Sequence, residues 1–204
     1  MGKTKMAVIN PSTSISWLAI ITGIAGLLGL IFISLFFTGR PIFGPLNDLF
    51  IGLTAILSSI LSWVIFSGYR AGTQLPGIFW VVAASLGAVI VVTGSVLVIS
   101  GITGWYLAGL YMAAGYALIG LWLLPLNLAA MRGHLWPQGL AIFGVACGVL
   151  MLFGVAAVPG ILRGVDTTEF SFSAANMLWG TGTLGWLVLY PIWCILLGRV
   201  LVVR

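Results

Sequence analysis

Arg163, Asp166 and Glu169 are the densest cluster of charge in the chain and are spaced by three. On a helix this spacing puts all three on one face, where they would form a small external site or clamp a partner. The plainer reading is a solvated loop tied by a surface ion pair worth about 0–1 kcal/mol. A second group of residues is uncharged. Thr54, Ser58 and Ser62 recur every four residues, so their hydroxyls share one helix face. With Tyr111, Tyr116 and Trp186 they would line a pocket for an apolar or neutral ligand such as a lipid, quinone or pigment. The competing reading has each hydroxyl bonding its own helix carbonyl four residues back, which costs nothing in lipid.

Other chemistries find little to work with. The single histidine, His134, cannot make a bis-histidine haem site alone, and it leaves a metal site or a Ser-His hydrolase little to draw on. HExxH, CxxC, CxxCH, Walker A and a GxSxG with a matching triad are absent. Cys147 and Cys194 lie inside apolar runs, where a cysteine behaves as a small core residue. Both lysines, Lys3 and Lys5, are at the N-terminus, so no Schiff base forms at depth. The sequence reads as non-enzymatic, with no cofactor and no metal site. Its positive charges are scattered singly rather than gathered into a basic stripe, which argues against nucleic acid.

The elements that carry these residues follow from composition. Only 5% of the 204 residues are charged and 61% are hydrophobic, with a mean hydropathy of +1.23. A soluble domain is about 25% charged, so lipid is the solvent for most of this chain. Its apolar runs are continuous and of helix-crossing length rather than alternating, which selects helices over a barrel. The fold class is all-α, a polytopic bundle of six transmembrane helices over about 15–37, 49–66, 78–99, 105–130, 140–158 and 178–203, after a tail over 1–14.

Several local signals are expected to shape these helices. Ser12, Thr13 or Ser14 caps the first, and Asn47 or Asp48 stands at the start of the second. Pro125 kinks the fourth, with Asn127 bonding the carbonyl the proline frees. Gly144 and Gly148 form a GxxxG packing signature on the fifth. Pro159–Met177 is the long polar break, and Pro191 interrupts the sixth helix. Six crossings place Lys3, Lys5, Arg70, Arg132, Arg199 and Arg204 on the side of the termini, against Arg40 and Arg163 on the other. By the positive-inside rule both termini are cytoplasmic and the carboxylates Asp48, Asp166 and Glu169 lie outside.

Three stretches carry a resemblance. Asn127–Pro159 joins a polar turn and a tryptophan-proline to GLAIFGVACGVLMLFGVAAVP. Tyr190-Pro191-Ile192-Trp193 is followed by Leu197-Gly198-Arg199, and Gly44-Pro45-Leu46-Asn47-Asp48 stands nearer the start. Together they resemble uncharacterised six- or seven-helix bacterial membrane proteins grouped as a domain of unknown function. The resemblance implies a helical bundle of the bacterial cytoplasmic (inner) membrane and brings no activity or site residue with it. The functional expectation is an accessory or structural subunit of a membrane complex, its small-residue helix faces binding other membrane proteins or a second copy. The alternative is a carrier or binding protein for the apolar or neutral ligand described above.

Overall fold

The computed structural model describes residues 11–69, 77–166 and 174–203. Six of its helices are long and apolar enough to cross a membrane. These are α1 (Pro11–Phe37), α2 (Phe43–Tyr69), α3 (Ile78–Ile99) and α4 (Trp105–Gly133), then α5 (Gln138–Leu162) and α6 (Ala174–Val202). There is no strand among the described residues. The chain is a multi-pass membrane protein, an all-α bundle.

Each helix packs on the next in sequence, and α6 closes the ring against α1. The most enclosed helix is α4, with 67% of its most apolar stretch buried. Small residues bring the backbones together, as lipid-embedded helices require. A Cβ added at Gly23 of α1 would stand 2.5 Å from the Pro191 carbonyl oxygen of α6. Gly87 of α3 and Gly115 of α4 face each other so closely that neither has room for a side chain. Gly144 and Gly148 of α5 both lie on α4, against Asn127 and Leu124. The glycine faces expected to receive other proteins are, at these positions, filled by the chain's own helices.

Several helix starts differ from the sequence expectation for one physical reason. Pro11 and Pro45 were expected in the tail and in a turn, yet each sits in the first turn of its helix. There a proline's missing N–H has no helical partner to lose, and its fixed φ already suits the helix. Hence α1 begins before Ser12, Thr13 and Ser14, which do not cap it, and α2 begins at Phe43 rather than Leu49. Asn47 and Asp48 consequently lie inside α2 rather than at its start. Farther along, α5 runs past Pro159 to Leu162 and α6 starts at Ala174, so the polar break is shorter than Pro159–Met177.

Two helices change gauge beside a proline. A 3-10 segment, Phe153–Ala157, precedes Pro159 in α5. A π turn, Gly185–Leu189, precedes Pro191 in α6, with the Tyr190 N–H reaching back to the Gly185 carbonyl. Both follow from the absent proline N–H and its clash with the carbonyl four residues back. Pro125 lies within α4, where the Asn127 amide donates to the Leu123 carbonyl at 2.9 Å rather than to Leu121, the carbonyl the proline leaves without its usual donor. The other end of Asn127 accepts from Trp136 Nε1 at 3.3 Å.

Candidate functional site

The π turn decides where space opens. Below it, α6 lies tightly along α1 through Pro191, Ile195 and Gly198. Above it, the first half of α6 packs on α4 and α5. Where α6 parts from α1, at the end of the bundle away from the termini, lies a cleft of about 620 Å³ between α1, α2, α4 and α6. Its walls are mostly apolar, including Phe36, Phe37, Ile51 and Met112, with Trp105, Trp179 and Trp186 supplying three indoles. The rim is braced by Asn176, whose Oδ1 accepts from Tyr106 OH and from Trp179 Nε1, both at 3.1 Å. Tyr106 and Trp179 also meet edge to face at 5.9 Å.

Polar groups on this wall are few and incompletely paired. Asn47 is 4% exposed and its Oδ1 has no hydrogen-bond partner among the described residues. The same holds for Nε1 of Trp186, 6% exposed. Asp48 is half-buried on the same wall, and its Oδ1 accepts from Asn47 Nδ2 at 3.0 Å. It stands five residues into α2, about 7.5 Å along the axis at 1.5 Å per residue. Buried polar atoms are normally paired, and leaving one unpaired costs about 1–3 kcal/mol. A carboxylate within a membrane span is costly unless something compensates it.

The six residues expected to share a pocket separate into layers. Only Trp186 lines the cleft. It stacks on Tyr116 with ring centroids 4.7 Å apart and planes within 3°. Tyr116 is buried beneath, its hydroxyl donating to the Ile51 carbonyl of α2 at 2.9 Å. Thr54, Ser58 and Ser62 are also fully buried. Thr54 donates to the Phe50 carbonyl at 2.7 Å, Ser58 to Thr54 at 2.6 Å and Ser62 to Ser59 at 2.7 Å. These hydroxyls therefore serve their own helix. Tyr111 packs against Gly94 of α3, on another side of α4.

The charged triplet is divided as well. Asp166 bonds the start of α4: its carboxylate accepts from the Gly104 N–H at 2.6 Å and the Leu107 N–H at 3.3 Å. It is a helix cap supplied from a distant part of the chain. Gly164, at φ +62°, turns the chain out of α5 and delivers it there. Arg163 is exposed and forms no ion pair among the described residues. Glu169 lies outside the described residues. His134 caps α4 at the other end in a left-handed conformation, φ 51°.

A second groove, of about 560 Å³, runs between α2 and α3. Its hydroxyls are satisfied: Ser59 donates to Ser85 at 3.0 Å, Trp63 Nε1 donates to Ser85 at 2.9 Å, and Ser85 donates to the Val81 carbonyl. Nothing in it asks for a ligand.

Sequence reasoning missed Asn47, Asp48, Trp105, Gly109 and Trp179 as members of one site. The signal for Asp48 was present. Reading Pro45 as a first-turn proline moves the carboxylate from a helix cap to a wall. The architecture defines the class, a polytopic α-helical membrane protein with a polar-lined apolar cleft. No family model, curated protein or solved structure matches the chain.

Proposed function

We propose that this membrane protein binds an amphipathic small molecule, with an apolar body and a polar head, in the cleft between α1, α2, α4 and α6. One observation carries the reading: a ligand-sized apolar cleft whose wall carries the half-buried Asp48 carboxylate beside Asn47 and Trp186, each with a buried polar atom unpartnered among the described residues. Binding cavities of about 300–1,000 Å³, mostly apolar with a few placed polar groups, are the usual form of small-molecule sites. The gap between α1 and the upper half of α6 is the natural approach from the bilayer.

Gly109 provides the test. It lines the cleft, and a Cβ there meets nothing within 4 Å. Position 109 therefore has room for a Cβ, and Gly109→Leu is the substitution chosen to occupy the cleft. Native mass spectrometry of the protein extracted gently from its own membrane should show a small-molecule adduct on the wild type and lose it in the variant. Equal adducts on both, or a bare wild-type chain, would overturn the reading.

The accessory-subunit reading rests instead on small-residue helix faces. A protein-sized added mass in the same spectra would favour it over a ligand pocket. We further place the chain in a bacterial cytoplasmic membrane with both termini in the cytoplasm, supported by the six-to-two distribution of basic residues. A green fluorescent protein fused after Arg204 should then be bright and an alkaline phosphatase fused there inactive; the reverse pattern would invert the topology and turn the cleft toward the cytoplasm.

A further inference from the structure

The charge on the cleft's wall says what kind of head it takes. We propose that the ligand carries a primary ammonium group, seated on the Asp48 carboxylate. The inference rests on the cleft being a binding site and narrows its chemistry.

Asp48 is one of two carboxylates among the described residues. The other, Asp166, is engaged by the N-terminal amides of α4. Among the described residues Asp48 has only the amide of its neighbour Asn47, on one oxygen. No lysine, arginine or histidine lines the cleft. A carboxylate held among apolar walls without a counter-charge is expensive, and the expense is relieved when a cation arrives. The Asp48 carboxylate thus offers its remaining acceptor sites to a primary ammonium, with three N–H donors. An anionic head would meet Asp48 with nothing to balance it. A neutral head would leave the carboxylate uncompensated.

Two sources present this chemistry. One is a bilayer lipid with an ethanolamine head, whose phosphate would also offer an acceptor to Trp186 Nε1. The other is a free hydrophobic amine. Both share an ammonium on an apolar chain.

The test uses the full chain in phosphatidylglycerol nanodiscs, reading tryptophan fluorescence, since three of the nine tryptophans line the cleft. The probes are dodecylamine, dodecanol and dodecyltrimethylammonium, which share a chain and differ in the head. Dodecylamine should bind about tenfold or more tighter than dodecanol, the equivalent of one charge-assisted hydrogen-bonded contact. It should also exceed the trimethylated head, which has no N–H to give. Asp48→Asn should remove the preference for the amine, so that dodecylamine binds no tighter than dodecanol, and Gly109→Leu should abolish binding of all three. If Gly109→Leu abolishes binding but Asp48→Asn leaves the amine as tight as before, the cleft stands and the ammonium assignment falls. If Gly109→Leu leaves binding intact, or no probe binds the wild type, both fall. Native mass spectrometry from membranes with and without phosphatidylethanolamine then names the source: an adduct present only in the former is the lipid, and one present in both is a free amine.

Discussion

Asp166→Ala tests how the far end of the bundle is held. The carboxylate receives two backbone N–H groups of α4, Gly104 at 2.6 Å and Leu107 at 3.3 Å. Loss of an N-cap costs about 0.5–2 kcal/mol, and a negative charge at an exposed helix N-terminus adds about 0.3–1 kcal/mol. The site is exposed and the second bond is long, so water recovers part of both contributions. The sum is about 1–2 kcal/mol, a drop of roughly 3–6 °C in Tm for a chain of this size. Asp166→Asn keeps one acceptor and loses the charge, and should fall about midway. Arg163→Ala, which breaks no ion pair among the described residues, should melt with the wild type. The assay is thermal unfolding in detergent micelles, paired with hydrogen exchange at the Gly104 and Leu107 amides. Both amides should exchange faster in Asp166→Ala alone. Unchanged exchange there, or an Arg163→Ala loss as large as that of Asp166→Ala, would refute the capping argument and return the charged triplet to a solvated site.

His134→Gly should raise stability by about 0.5–1 kcal/mol, because a left-handed residue with φ 51° loses its Cβ strain; a lower Tm would mean the imidazole has a role beyond the turn. Gly115→Ala should destabilise by about 1–3 kcal/mol, since its new Cβ would stand 2.5 Å from the Gly87 carbonyl oxygen, whereas Gly180→Ala, with nothing within 4 Å, should be neutral or slightly stabilising; comparing their melting temperatures checks the α3–α4 crossing. Asn127→Ala should cost about 1–3 kcal/mol by orphaning the buried Trp136 Nε1, and the double variant with Trp136→Phe should cost less than the sum of the two single changes.

The bundle was legible in the sequence because it follows from a bulk property. Six apolar runs of crossing length leave few alternatives in lipid, and those runs are the six helices found. The hydroxyl ladder was half legible. Spacing by four placed Thr54, Ser58 and Ser62 on one face, but spacing does not say whether a hydroxyl looks outward or back at its own helix. The carbonyl of the preceding turn is always in reach, and it won at all three positions. The charged triplet was misleading because spacing by three matters only on a helix, and Asp166 leaves α5 through a left-handed glycine to serve α4. No local pattern reveals a cap contributed from 62 residues away.

The cleft was hidden by two prolines, each read for what it forbids rather than for what it permits. Pro45 was read as the turn before α2. In the first turn of that helix it instead draws Asn47 and Asp48 inward by more than a turn, and a surface cap becomes a carboxylate on an apolar wall. Pro191 was read as an interruption. Its effect is felt in the preceding π turn, Gly185–Leu189, which holds Trp186 flat on Tyr116 while the upper half of α6 turns from α1 toward α4 and α5. One proline supplies the charge and the other the space, and the two meet because α1 lies between α2 and α6 in the ring. A Pro191→Ala variant separates these contributions. Restoring the N–H at position 191 lets α6 revert to α-helical gauge, which should swing Trp186 off Tyr116 and narrow the cleft while leaving Asp48 in place. The expected result is weaker binding of every dodecyl probe with the amine-over-alcohol preference retained. Selective loss of the amine alone would refute this division of labour, since it would tie the charge recognition to α6 rather than to α2.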